Sequence, residues 1–200
     1  MSDVARALAV LQFGDSFFPS GAVSFSWGLE GLSDSGVVTG ADTVRAFVIG
    51  QLRARWAEFD RPVVVAAHAA KNSLEEVAAI DARVETQTPC AELRSGSRRI
   101  GEAMLSVFAR LGIGEADSYR ERVKQCDAFG HLPVMQGYLW GRAGLSQHNT
   151  VALSAHTFTT GLLGAGIRLG CLSHIEAQQI LVGTRQESVR LAALPVPPIG

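Results

Sequence analysis

Histidine and cysteine are the side chains of this sequence best suited to hold a metal ion, and they stand far apart. They are His68, His131, His148, His156, His174, Cys90, Cys126 and Cys171. A tight metal site needs three or four converging ligands, commonly at short spacings such as C-x-x-C or H-x-x-x-H. No such spacing occurs, and the closest pairs, His148 with His156 and Cys171 with His174, supply only two ligands each. We therefore expect no tightly bound metal ion or cofactor, and mainly structural roles for the histidines.

The glycine-rich runs do not form a nucleotide-binding motif. The runs at 14–16 and 164–166 lack the lysine and hydroxyl residue of a phosphate-binding loop. The Gly-Ile-Gly at 112–114 has neither a preceding strand pattern nor a third glycine, and no G-x-S-x-G elbow is present. These absences predict a protein that is not an enzyme. One alternative remains open, a small helical enzyme or metal sensor that uses His131, His148, His156 or His174.

Composition places the chain among globular proteins of one domain. Of its 200 residues 47% are hydrophobic and 18% are charged, which is enough apolar surface for a sizeable core. The formal net charge is -1, and no basic stretch exceeds two consecutive residues. A nucleic-acid or anionic-membrane partner would require a basic patch. We therefore expect neither partner, and a single domain over residues 1–200.

Cysteine usage and the apolar segments indicate a cytoplasmic protein. Three widely separated cysteines do not make a disulfide framework and fit a reducing compartment. The N-terminal residues carry Asp3 and Arg6 and lack a signal-peptide pattern. The apolar segment 151–170 contains His156 and Arg168, which would be costly in lipid. It is therefore predicted to be a buried central helix of a protein outside the membrane.

Apolar residues recur at helical spacing along most of the chain. In 42–59 and 98–111 they lie three and four positions apart, on one helical face. Pro133 suits the first turn of a helix over 132–141, and Ser173 with Glu176 forms a capping-box pattern that begins a last helix ending near Leu194. The three valines at 63–65 are followed by alanines, which favours a helix. The predicted fold is all-α, with about eight to ten helices around the central buried helix.

Small residues are frequent in the predicted central helix. Gly161, Gly164 and Gly166 lie there together with several alanines. Each glycine costs a helix about 1 kcal/mol relative to alanine, so tertiary packing must offset them. We expect close approach of neighbouring helices at these glycines, including Gly164. A helix that lines an internal passage is the alternative.

The segment 17–30 is the most unusual part of the sequence. It combines three phenylalanines and a tryptophan with a proline, glycines and serines, and it has neither helical nor strand periodicity. Ser26 is a suitable N-cap for a helix that follows, with Glu30 in its first turn. The segment is either a core-packing loop or an aromatic recognition surface, because Trp and Phe are common interface anchors.

Three blocks of this sequence resemble the UreF family of urease accessory proteins. The first is Pro19-x-Gly21-x-x-Ser24-Phe25-Ser26-x-Gly28-Leu29-Glu30. The second is Glu92-Leu93-Arg94-x-x-Ser97-Arg98-x-x-Gly101, and the third is Arg168-Leu169-x-x-Leu172 followed by Gln178-x-Ile180-Leu181. The blocks occur in the family's order, and the resemblance covers residues 4–194. The family usually has Gly-Phe at positions 22–23 and tyrosine at 25.

The resemblance implies a non-catalytic, all-α homodimer that helps deliver nickel to apo-urease. Its implied partners are UreH/UreD and the GTPase UreG, and nickel is expected only in transit. The implied partner-binding residues are Pro19, Gly21, Ser24, Phe25, Ser26, Gly28, Glu30, Arg94, Arg98 and Arg168. The family usually has a basic and aromatic tail after its last helix, which we expect to be absent here.

Overall fold

The computed structural model describes residues 2–15, 17–19 and 26–199. These residues form ten α-helices and no β-strand, which confirms the all-α prediction. The helices are α1 (Asp3–Gly14), α2 (Leu29–Asp34), α3 (Ala41–Gln51), α4 (Arg61–Ala69), α5 (Leu74–Gln87), α6 (Ala91–Arg110), α7 (Ala116–Lys124), α8 (Leu132–Arg142), α9 (Gln147–Arg168) and α10 (His174–Ala192). A π-helical segment, Leu52–Asp60, joins α3 to α4 without a break, so these residues form nine separate helices in one compact domain. Among them we find no helix with the length and apolar character needed to span a membrane.

Local sequence signals set most of the helix ends. At the start of α10 the Ser173 hydroxyl accepts from the Glu176 backbone N–H, and the Glu176 carboxylate accepts from the Ser173 N–H at 2.8 Å, as the capping box predicted. Pro133 lies in the first turn of α8, also as predicted. The Ser26 N-cap prediction is wrong. Helix α2 begins at Leu29, and its N-cap is Gly28 at φ 91°, a left-handed conformation that glycine adopts without strain.

Two apolar clusters form the core. One joins α4, α5, α6, α7 and α8 with Phe13 of α1. The other joins α2, α3, the π-helical segment, α9 and α10. Helix α9 contributes to both clusters, through Leu153 in the first and Phe158 and Leu162 in the second. It therefore connects the two halves of the domain.

Helix α8 is the most deeply buried helix of the described chain. Every residue from 133 to 141 is buried, so the helix is enclosed on all sides. Its backbone comes very close to its neighbours. A Cβ atom at Gly137 would overlap the Val64 carbonyl oxygen in α4, and one at Gly101 in α6 would overlap the Gly130 carbonyl oxygen just before α8. Glycine at these two positions permits the observed packing.

The segment predicted as the central helix is α9. Its small residues Ala155, Ala165 and Gly166 are buried, and a Cβ atom at Gly166 would lie 2.9 Å from Leu172 Cδ1. Close packing is thus confirmed at Gly166. The prediction is wrong at Gly161 and Gly164, where an added Cβ atom would meet nothing within 4 Å. Glycines of one helix differ because each meets a different neighbour.

We expect opposite effects from alanine at Gly137 and at Gly164. Gly137→Ala should lower the free energy of unfolding by at least about 2 kcal/mol, because the methyl group meets backbone atoms that cannot move aside. Gly164→Ala should raise it by up to about 1 kcal/mol through helix propensity. Urea denaturation of both variants measures the difference. Equal effects at the two positions would contradict the packing described for α8.

Candidate partner-binding site

The described part of segment 17–30 directs two of its aromatic side chains into the protein. Phe18 packs against Phe13 and Phe108, with ring centroids 5.7 Å and 5.8 Å away. Trp27 packs against Phe158, with ring centroids 5.8 Å apart, and the Arg55 guanidinium lies 5.0 Å from its centroid. These aromatic side chains therefore belong to the core.

The residues predicted to bind partners in this segment are only partly described. Ser26 is partly exposed, and Pro19 and Gly28 are exposed. Glu30 lies in the first turn of α2, as predicted, and its side chain is exposed. Gly21, Ser24 and Phe25 lie outside the described residues.

A small cavity of about 40 Å³ lies beneath Phe18 and Trp27. A chain of hydrogen bonds runs along its wall, in which Trp56 Nε1–H donates to Ser154 Oγ at 3.2 Å and Ser154 donates to Gln136 Oε1 at 3.1 Å. Gln136 in turn donates to Thr157 Oγ1 at 3.2 Å. These bonds satisfy polar groups that would otherwise destabilise the core. The wall therefore has a structural role.

Asp60 also lines this cavity and is buried at the end of the π-helical segment. A π-helix pairs residues five positions apart, and Arg55 Nε donates to Asp60 Oδ1 at 3.0 Å. Burial raises the pKa of Asp60 from 3.8 to about 6, although Arg55 opposes the shift. The ionised carboxylate therefore destabilises the folded state near neutral pH.

This shift predicts a pH-dependent effect of Asp60→Asn. Because the folded-state pKa is raised, the protonated acid stabilises the fold at low pH, and that contribution is lost as the pH rises from 3.8 through about 6. The unfolding free energy of the variant minus that of the wild type should increase from pH 4 to pH 7 by on the order of 2 kcal/mol. Urea denaturation across this range measures it, with the exposed Asp127→Asn as control. A constant difference would contradict the raised pKa.

The outward-facing feature beside the segment is an apolar stripe on α1. Val4, Leu8 and Leu11 occupy one helical face and are 72%, 61% and 68% exposed, and the neighbouring Phe17 is 92% exposed. We call these four residues the α1 ridge. A contiguous exposed apolar patch marks an interaction surface. The ridge was not predicted from the sequence, although the signal exists: α1 carries a second apolar face that buries Phe13.

Arg94 and Arg98 lie far from the ridge in sequence, on α6, and both contact Glu85 of α5. Arg98 Nε donates to Glu85 Oε2 at 2.9 Å, and its guanidinium lies 4.8 Å from the Phe129 ring centroid. Arg94 donates to the Thr88 carbonyl oxygen at 2.6 Å and lies 3.4 Å from Glu85 Oε1. These contacts hold α5 against α6. Partner binding by the two arginines stays a prediction.

Arg168, the third predicted arginine, lies elsewhere in the fold. It is exposed in the last turn of α9. A cation there interacts favourably with the negative end of the helix dipole. Its partner role also stays a prediction.

The buried carboxylate of Asp81 in α5 organises the backbone that leads into α8. Asp81 Oδ2 accepts from the Tyr119 hydroxyl at 2.9 Å and from the N–H groups of Phe129 and Gly130 at 2.8 Å and 2.7 Å. Asp81 Oδ1 accepts from the His131 N–H at 3.0 Å. Burial and the nearby Asp81 raise the pKa of Tyr119, so its hydroxyl remains a donor. No local pattern in the sequence predicts this contact.

His131 completes the support of α8. Burial lowers its pKa despite the nearby carboxylates of Asp81 and Glu85, so the ring is neutral at pH 7. We assign Nε2–H as the donor to Glu85 at 2.9 Å, and Nδ1 as the acceptor from the Ser97 hydroxyl at 3.2 Å. Ser97 Oγ also accepts from the Leu132 N–H, the first amide of α8. His131 therefore has a structural role, as predicted for most of the histidines.

Asp81→Ala should destabilise the protein by at least about 3 kcal/mol, because it leaves several buried donors without an acceptor. Tyr119→Phe removes one donor and should cost about 1–2 kcal/mol. Urea denaturation of the two variants measures the order of the effects. A smaller loss for Asp81→Ala than for Tyr119→Phe would contradict the role of the carboxylate.

The remaining titratable side chains do not converge on a metal centre. Within residues 2–15, 17–19 and 26–199, no group of three His, Cys, Asp or Glu side chains is placed to hold a metal ion. The His68 ring nitrogen Nε2 lies 2.9 Å from the Leu145 carbonyl oxygen, in the core. His148 and His156 are exposed on α9, and His174 is exposed at the start of α10.

Comparison with known proteins gives one consistent family. Residues 38–185 match the UreF family. The chain is 36% identical over 190 residues to the urease accessory protein UreF of Trichodesmium erythraeum, a match that covers 90% of this chain and 79% of that protein. It is 30% identical over 185 residues to the urease accessory protein UreF of Yersinia enterocolitica, which covers 90% of this chain and 78% of that protein. The chain belongs to the UreF family.

Proposed function

We propose that this protein is a non-catalytic scaffold for the nickel-dependent maturation of urease. In this role it bridges the accessory proteins UreH/UreD and UreG and acts with them on apo-urease. Its relatives carry the name urease accessory protein, which supports this role. The protein acts in the cytoplasm as a homodimer, and nickel passes to urease without a tight site on this chain.

The α1 ridge is the observation that carries the proposal. It exposes three apolar side chains on one face of a helix, and Phe17, the first residue of segment 17–30, is also exposed. Removal of such side chains from water against a partner favours association. Exposed apolar and aromatic side chains suit protein binding better than catalysis.

The titratable groups held within the helix packing support the same conclusion. Asp81, Glu85 and His131 are held by hydrogen bonds within the helix packing. Asp60 is ion-paired with Arg55 at 3.0 Å. A catalytic site needs groups that are free to meet a substrate, whereas these groups face one another. The protein therefore acts through its surface.

Leu8→Glu and Phe17→Ser should each reduce urease activation strongly and leave the melting temperature within a few degrees of wild type. Both side chains are exposed, at 61% and 92%, so neither change removes core volume. The measurement is urease activity in cells that carry the full accessory set, beside a melting curve of each purified variant.

Ile175→Glu is the matched control, because Ile175 is also exposed, at 68%, but lies at the start of α10. It should retain activation. Light scattering of Leu8→Glu shows whether the ridge also joins two copies. Full activation by both ridge variants at normal stability would contradict the proposal.

A further inference from the structure

A second unfilled surface lies between α9 and α10, far from the α1 ridge in sequence. These helices form a hairpin, and the groove runs between the first half of α9 and the second half of α10, with Arg61 and Val65 of α4 at its base. Its volume is about 560 Å³. We call it the α9–α10 groove.

Small side chains keep this groove open. Ala152 and Ala155 line its α9 side, and Ala192 and Ala193 line the opposite side. Larger residues at these positions would fill the space between the two helices. The groove therefore has a defined shape within the helix packing.

The groove combines apolar and polar lining residues and is open to solvent. Val151, Leu181, Val189 and Val196 add branched side chains to the alanines. Val189 is 66% exposed and Val196 is 44% exposed. Apolar surface of this kind is stabilised when a partner excludes water from it.

The charged residues that line the described groove are arginines. Arg61 and Arg185 line it, and among its described lining residues there is no Asp or Glu. Burial and the nearby Arg185 lower the pKa of His156, so this imidazole adds no positive charge at pH 7. Arg61 is buried at the base, where it donates to the carbonyl oxygens of Leu194 and Pro195 at 2.7 Å and 2.9 Å, whereas Arg185 is exposed on the groove wall. The groove therefore favours an occupant with carboxylates.

The length of the groove fits a helix. Its α10 side extends from Leu181 to Ala192, about 16 Å at 1.5 Å per residue, or three helical turns. A second copy of this groove is a poor occupant, because a two-fold contact would bring two cationic surfaces together.

We propose that the α9–α10 groove binds an amphipathic α-helix of a partner protein, with the apolar face of that helix in the groove and acidic residues along its edge. This surface is separate from the α1 ridge, and the two share no residue. The binding mode is that of a helix laid in a hydrophobic groove, with electrostatic complementarity setting the choice of partner.

The test is a fluorescence-anisotropy titration of the full chain with two labelled synthetic peptides. Both are 16-residue amphipathic helices with leucines on one face, and they carry either glutamates or lysines at the edges of that face. The wild type should bind the glutamate peptide at least tenfold more tightly than the lysine peptide. Arg185→Glu should abolish or reverse this preference, and Ala152→Trp, at an exposed position of the groove wall, should abolish binding of both peptides.

Arg83→Glu on α5 is the charge-matched control and should bind like the wild type, because Arg83 is exposed and outside the groove. Equal affinity for the two peptides, or no binding at millimolar peptide, would overturn the proposal. It would also be overturned if Ala152→Trp converted a dimer into a monomer in light scattering without affecting peptide binding. The two proposals can be told apart. If the ridge variants lose urease activation but the peptides do not bind, the scaffold role stands and only the proposal for the α9–α10 groove is contradicted.

Discussion

The buried carboxylate of Asp81 is the interaction on which the arrangement of helices depends. Helix α8 lies in the interior, so the amides that lead into it cannot be satisfied by water. Its N-cap residue, His131, provides no side-chain cap. Asp81 of α5 and Ser97 of α6 supply the missing acceptors from other helices. Gly137 of α8 lies against the backbone of α4. The contacts that position the start of α8 therefore also help to position α4, which continues from the π-helical segment.

The sequence predicts those features of the fold that local spacing determines. Apolar periodicity identified the long helices, and the capping pattern at Ser173 located the start of α10. The role of Asp81 could not be predicted from the sequence. The backbone N–H groups that donate to its carboxylate lie about fifty residues away, and nothing within α5 indicates them. The same reason explains Gly137 and Gly164. Both occur within helices, and only the neighbouring helix distinguishes a required glycine from a replaceable one.

The sequence identified the unusual composition of segment 17–30, but it did not predict which of its aromatic side chains point into the core and which point to solvent. Segment 17–30 was open to two interpretations, a packing loop or a recognition surface, and its described residues fit both. Phe18 and Trp27 pack inward, whereas Phe17 is almost fully exposed. Periodicity cannot separate these cases outside a regular helix. In α1 it could have done so, since Val4, Leu8 and Leu11 repeat at helical spacing on a face that the core does not use.

Helix α9 connects the two unpartnered surfaces. The end of α1 packs on it closely enough that a Cβ atom at Gly14 would lie 2.9 Å from Leu153 Cδ1 and 3.6 Å from His156 Cδ2. His156 also lines the α9–α10 groove, so one side chain touches the helix of the ridge and the wall of the groove. The two surfaces nevertheless have no residue in common. A partner on one surface therefore removes no contact from the other, and α9 provides the packed connection between them that the proposed scaffold role requires.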